Sequence, residues 1–122
     1  MSKVRKQAKS PEELTQLFTE LANAGDAAGL ADLYEPGAVL AYPPGQMTEG
    51  REGILAVYER MVAVGLKFET EETLPTIRSA KLALTSTHRR DGIGVRVQVA
   101  RQQRDGSWLR VIDRPETAPA GN

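Results

Sequence analysis

Gly94-Val95-Arg96-Val97-Gln98-Val99 and Trp108-Leu109-Arg110-Val111-Ile112-Asp113 flank the triplet Arg104-Asp105-Gly106. A three-residue turn with Gly106 in the left-handed conformation joins the two runs into a β-hairpin, because glycine accepts positive φ without a Cβ clash. Gln103 then faces Ser107, Arg101 faces Leu109, Val99 faces Val111 and Val97 faces Asp113. A two-residue turn would instead place Arg101 opposite Arg110, a like-charge pair that destabilises a sheet. The preferred register puts Val95, Val97, Val99, Leu109 and Val111 on one face, which ends in a lone carboxylate, Asp113. Arg96, Gln98, Ala100, Gln102, Trp108, Arg110 and Ile112 share the other face.

Around this hairpin the chain is short and electrically balanced, with 122 residues and 16 charges of each sign. That length is one domain burying roughly two thirds of its unfolded surface. The balance gives no electrostatic reason to bind nucleic acid or an anionic membrane. The absence of cysteine excludes disulfides, thiolate catalysis and Cys-based metal sites. No apolar run follows the basic N-terminus, so neither a signal sequence nor a membrane span is expected, and the default location is cytoplasmic.

Residues 1–9 read as a disordered basic tail, residues 10–115 as a single domain and residues 116–122 as a second tail. Ser10-Pro11-Glu12-Glu13 combines an N-cap, a first-turn proline and an acid three residues after the cap. Leu14, Leu17, Phe18, Leu21 and Ala22 then form one apolar stripe that Gly25 stops. Asp26 caps a shorter helix with Leu30, Leu33 and Tyr34 on one face, ended by Glu35-Pro36-Gly37. Ala38 to Tyr42 is a short buried strand. A third helix runs from Arg51 to Gly65 and aligns Ile54, Val57, Tyr58, Met61 and Val64. Alternation from Lys67 to Leu74 predicts a strand with one wet face, and Leu82 to Thr87 predicts the next, turning at Arg89-Arg90-Asp91-Gly92.

Helices first and strands afterwards predict an α+β domain, in which a curved antiparallel sheet wraps around three helices and leaves a conical hollow. Such a hollow is a natural small-molecule site. The chain resembles the nuclear transport factor 2-like superfamily (cystatin-like fold), in particular its SnoaL-like, polyketide-cyclase-like and ketosteroid-isomerase-like members, over residues 11–115. The resemblance rests on Asn23-Ala24-Gly25-Asp26 with Leu30-Ala31-Asp32-Leu33-Tyr34-Glu35-Pro36-Gly37-Ala38-Val39, on Gly50-Arg51-Glu52-Gly53-Ile54, and on Asp105 through Pro115. It implies a cone-shaped domain with a deep pocket, often dimeric through its outer sheet face. One fold hosts many activities, and neither the Asp-Arg-Asp set of the epoxide hydrolases nor the tyrosine and two acids of the isomerases aligns, so no catalytic set carries over.

Asp113 is the leading candidate for a catalytic acid or base, since a carboxylate among aliphatic residues is desolvated and its proton affinity rises. The alternative is a structural carboxylate near the rim. His88 is a second catalytic candidate, facing the pocket if Asp91-Gly92 makes a two-residue turn and outward otherwise. Phe18, Tyr34, Tyr42, Tyr58, Met61, Phe68 and Val97 are candidate ligand contacts, and equally plain core residues. Trp108, Arg110, Ile112 and Arg96 are the expected homodimer contacts on the outer face. The functional expectation is a protein that holds a small apolar or aromatic ligand, or a cofactor-free isomerase, cyclase or hydratase using Asp113. The alternative is a non-catalytic binding or dimeric accessory domain. A metal site is not expected, because one histidine without cysteine would need several carboxylates converging on it.

Overall fold

The order of elements in the computed structural model is α1 (Pro11–Asn23), α2 (Ala27–Ala31), β1 (Tyr34–Leu40), β2 (Thr48–Glu49), α3 (Arg51–Val64), β3 (Ile77–Ser79), β4 (Leu82–His88), β5 (Val95–Gln102) and β6 (Trp108–Arg114). The structure describes residues 5–65, 67–89 and 94–115. Among these the strands form one six-stranded sheet in the order β2-β1-β6-β5-β4-β3. Only the β1–β6 pair is parallel. Three helices lie against one face of this curved sheet, the α+β arrangement expected from the order of helices and strands.

Helix α1 begins where its capping residues place it. Ser10 Oγ accepts from Glu13 N at 3.2 Å, and Glu13 reaches back to Lys9 N at 2.7 Å. Leu14 and Leu17 turn inward and are buried. In α3, Ile54, Val57 and Tyr58 do the same, and Gly65 closes the helix at φ 82°. Tyr34 begins β1 rather than ending α2, because α2 is complete at Ala31 and Tyr34 pairs with Arg110 of β6.

Residues 5–9, expected to be part of a mobile tail, are docked. Arg5 Nε and Nη2 donate to the two oxygens of Asp26 at 2.9 and 3.0 Å, Ala8 is buried, and Trp108 N donates to Ala8 O at 3.0 Å. Asp26 is the acid that caps α2, so the basic segment finds its counter-charge within the fold. Residues 1–4, the Arg90-Asp91-Gly92 part of the expected turn and the tail 116–122 lie outside the described residues.

The expected strand from Lys67 to Leu74 is absent. Asn23, at the end of α1, occupies both backbone groups of Phe68: its Nδ2 donates to Phe68 O at 2.8 Å and its Oδ1 accepts from Phe68 N at 2.6 Å. The segment touches β4 through an isolated Thr73–Thr87 bridge, with Leu74 N donating to Ser86 O and His88 N to Glu72 O.

The closing hairpin decides where the chemistry lies. Near the turn its register is the predicted one, with Arg101 opposite Leu109 and Gln103 N donating to Ser107 O at 2.7 Å. Beyond Arg110 it departs. Ala100 pairs with Arg110 but Val99 pairs with Ile112, so Val111 is an extra residue in β6, a β-bulge. One inserted residue exchanges the faces of everything after it. Ile112 turns outward, and Asp113 comes to lie opposite Gln98, on the side of Arg110.

The helix-covered face is also the opposite of the one expected. It carries Ala83, Thr85, Thr87, Gln98, Ala100, Trp108, Arg110 and Asp113, all buried. Small residues at 83 and 100 leave room for the helices, and Trp108 and Arg110 reach into the space between them. The valine row 95, 97 and 99 therefore faces outward. Trp108 is 4% exposed and Arg110 3%, which removes both from the expected dimer surface.

Candidate functional site

Between the helices and the inner sheet face lies a cavity of about 530 Å³. Its apolar wall is made by Phe18 of α1, Leu40 at the end of β1, Tyr42 just beyond it, Tyr58 and Met61 of α3, and Phe68. Phe18 presents its ring edge-on to Tyr58 at 5.6 Å and to Phe68 at 6.2 Å, the T-shaped geometry that the aromatic quadrupole favours. Phe68 holds its place without a strand because Asn23 pins its backbone.

Among the polar groups of the wall are the buried Gln98, Arg110 and Asp113. Asp113 is 2% exposed. Its Oδ2 accepts from Tyr34 Oη at 2.5 Å and from Arg110 Nη1 at 3.5 Å. Tyr34 Oη is also 2.6 Å from Tyr58 Oη. The Arg110 guanidinium lies over the rings of Phe18 and Tyr34, at 5.3 and 5.9 Å from their centroids. Bulge and pairing together make this cluster, since Asp113 stands three residues from Arg110 on one face only because Val111 is inserted between them.

Two buried polar atoms of the cluster, Asp113 Oδ1 and Arg110 Nε, have no hydrogen-bond partner among the described residues. Leaving such an atom unsatisfied costs about 1–3 kcal/mol. Burial alone would lower the Arg110 pKa, yet the charge of Asp113 and the two phenols hold it above its ordinary value. Burial foremost, and then the Asp113 charge, pushes the Tyr34 phenol well above its usual range and raises Tyr58 as well. Both phenols are therefore proton-bearing throughout the neutral range.

A second charged group borders the cavity. Arg96 donates Nε and Nη2 to the two oxygens of Glu71 at 2.8 and 3.2 Å, and Thr87 Oγ1 donates to Glu71 at 3.3 Å. Arg96 thus serves the cavity rather than the outer face, and its partner Glu71 lines the same cavity.

Of the sequence-derived ligand contacts, Phe18, Tyr42, Tyr58, Met61 and Phe68 line the cavity. Tyr34 stands one layer behind the wall, bonded to Asp113. Val97 does not reach it, because its strand face is the outer one. His88 lies opposite Val95, as a tight turn would place it, but on that same outer face and exposed, so the structure does not bring it to Asp113. Arg110 was missed as a site residue. The signal available for it was an arginine three residues before the carboxylate, which only an inserted residue places on the same strand face. Among the described residues no group of three or more His, Asp or Glu side chains gathers as metal ligands.

The family model for the SnoaL-like domain matches residues 14–113. The chain belongs to the SnoaL-like domain family. Solved structures share the fold of this SnoaL-like domain at low identity. A nuclear transport factor 2-like protein with a cystatin-like fold from Novosphingobium aromaticivorans is 18% identical over 90% of this chain and 80% of its own, with a TM-score of 0.65. A ketosteroid isomerase-like protein from Erwinia carotovora atroseptica is 17% identical over 84% of this chain and 89% of its own, with a TM-score of 0.62. A protein of unknown function from Mycobacterium tuberculosis is 14% identical over 86% of this chain and 68% of its own, with a TM-score of 0.64. Likeness at this identity shows the nuclear transport factor 2-like fold and nothing finer. No curated protein matches the SnoaL-like chain. No helix among its described residues is long and apolar enough to cross a membrane.

Proposed function

We propose that this SnoaL-like domain binds a small apolar or aromatic molecule in its cavity and uses Asp113 as an acid or base on it, in an isomerisation, cyclisation or hydration. The observation that carries the reading is the carboxylate itself: Asp113 is buried in the wall of a cavity of about 530 Å³, with Oδ1 unpartnered among the described residues. Proton transfer of this kind needs no cofactor, and general acid–base help contributes about 10²- to 10⁴-fold. Asp113→Asn keeps the shape and removes the proton-accepting group. Turnover on a panel of small carbonyl and epoxide compounds is expected to fall by about 10²- to 10⁴-fold. A variant as active as the wild type would retire Asp113 from the chemistry.

A second reading, a non-catalytic binding domain with a structural Asp113, is favoured by the placement of two other titratable side chains. Glu71 is held in a two-point pair with Arg96, and His88 faces away. Mass spectrometry of a co-purified molecule that the protein leaves unchanged would support this reading.

The homodimer belongs to the same proposal, on a corrected surface. Ile77, Leu84, Val99 and Ile112 are successive partners across β3, β4, β5 and β6 and so form one apolar row on the outer face. Ile77 is 66% exposed and Ile112 52%. A second copy laid face to face covers the row with an identical one, the self-complementary contact of a two-fold dimer. Ile112→Glu is expected to give monomers in light scattering, and a persistent dimer would place the contact elsewhere.

A further inference from the structure

Tyr58, Tyr34 and Asp113 form a line of three hydrogen-bonding groups in which only the two ends touch the cavity. Tyr58 and Asp113 line it, whereas Tyr34 is 0% exposed and lies behind the wall. Tyr34 Oη is 2.5 Å from Asp113 Oδ2 and 2.6 Å from Tyr58 Oη. A phenol has one proton and a carboxylate offers only acceptors, so Tyr34 donates to Asp113 and Tyr58 must donate to Tyr34. The hydrogen bonds therefore all point the same way, from Tyr58 through Tyr34 to Asp113. With its own proton committed, Tyr58 presents lone pairs to the cavity.

We propose that a proton leaving a bound hydroxyl ligand enters at Tyr58 Oη and is delivered through Tyr34 to Asp113 Oδ2, so that the base is the three groups together and its point of contact is Tyr58. This rests on the reading of the cavity as a ligand site with Asp113 as its base. The ligand O–H bond breaks and a Tyr58 O–H bond forms. Tyr58's former proton passes to Tyr34, and Tyr34's passes to Oδ2. The electron pair stays on the ligand oxygen, leaving an oxyanion and a neutral Asp113. Arg110 lines the same cavity, carries the compensating charge and has an Nε unpartnered among the described residues. Burial and the Asp113 charge hold both phenols above their ordinary values, so each passes a proton on and neither keeps a negative charge.

The geometry also selects the chemical class. Proton passage along such a line requires a true hydrogen bond at its entrance, which an O–H donor makes and a C–H does not. The apolar wall beside that entrance is Phe18, Met61 and Phe68, with Phe18 and Phe68 meeting edge to face. A neutral ring bearing an acidic hydroxyl, a phenol or an enol, meets both demands.

The test uses 4-nitrophenol, whose neutral and ionised forms absorb differently, bound at neutral pH to the wild type and to Asp113→Asn, Tyr34→Phe and Tyr58→Phe. The wild type is expected to raise the ratio of ionised to neutral bound probe, and Asp113→Asn to lower it at least tenfold. Tyr34→Phe and Tyr58→Phe are expected to fall to the same low level although Asp113 is intact. If Asp113 instead takes the proton directly at Oδ1, Tyr34→Phe leaves that acceptor in place and removes only a hydrogen bond made to the unprotonated carboxylate. The ionised fraction then holds or rises, which overturns the relay and leaves the functional reading standing. A wild type that binds no probe, or an Asp113→Asn variant with an unchanged ratio, overturns both. Thermal unfolding checks that each variant is folded. If Tyr34→Phe is not, Tyr58→Phe decides alone, since direct transfer leaves its ratio at the wild-type level.

Discussion

Arg110→Met is expected to destabilise the protein by about 3–5 kcal/mol, the cost of leaving a buried charge without its partner. Arg110 and Asp113 are both nearly inaccessible, and the guanidinium is the cation bonded to that carboxylate. Methionine fills much of the same space, so lost packing contributes little and the stranded carboxylate most. The contacts over Phe18 and Tyr34 add a smaller loss, of about 0.5–2 kcal/mol. The double variant Arg110→Met/Asp113→Leu is expected to recover most of the stability, because two apolar residues in place of a buried ion pair are often neutral or better. Urea unfolding reads both, as a midpoint that falls in the single variant and returns in the double at unchanged slope. A single variant within 1 kcal/mol of wild type would mean that Asp113 is not held as a charge in the interior.

Leu30→Ala is expected to cost about 2–5 kcal/mol, the range for deleting a fully buried leucine side chain. Leu30 is 0% exposed in a helix of five residues, too short to hold its shape by its own hydrogen bonds. Helix α2 persists because its Asp26 cap accepts from Gly29 N at 3.0 Å and because Leu30 anchors it in the core. Truncation leaves a cavity that the cap cannot offset, since a cap is worth about 0.5–2 kcal/mol. Thermal or urea unfolding measures the loss. A value below 1 kcal/mol would show that α2 rearranges to fill the space.

The helices and their ends were legible in the sequence because their signals are local. Ser10 and Pro11 start α1, Gly65 ends α3, and the stripe of Leu14 and Leu17 points to the core. The register at Arg104-Asp105-Gly106 was legible for the same reason. What the sequence concealed was a single extra residue far from the turn. Nothing about Val111 itself marks it as a bulge. Its effect is large, because it turns Asp113 from the outer face to the inner one. Asp113 is therefore interior for a reason the alternation does not carry: the aliphatic residues at 97 and 99 face out, and the arginine and tryptophan face in. Helix packing made that choice, since Ala83 and Ala100 give the helices room to approach. His88 shows the same effect in reverse, paired with Val95 but on the face the helices do not cover. The segment around Phe68 had the alternation of a strand, and a side chain at the end of α1 satisfied its backbone instead.

The most direct test of the account is a crystal structure of the wild-type protein grown with 4-nitrophenol. The account expects the ring against Phe18 and Phe68, with its hydroxyl oxygen within hydrogen-bond distance of Tyr58 or Asp113. Side chains filling that space, or a probe found only on the outer surface, would contradict it.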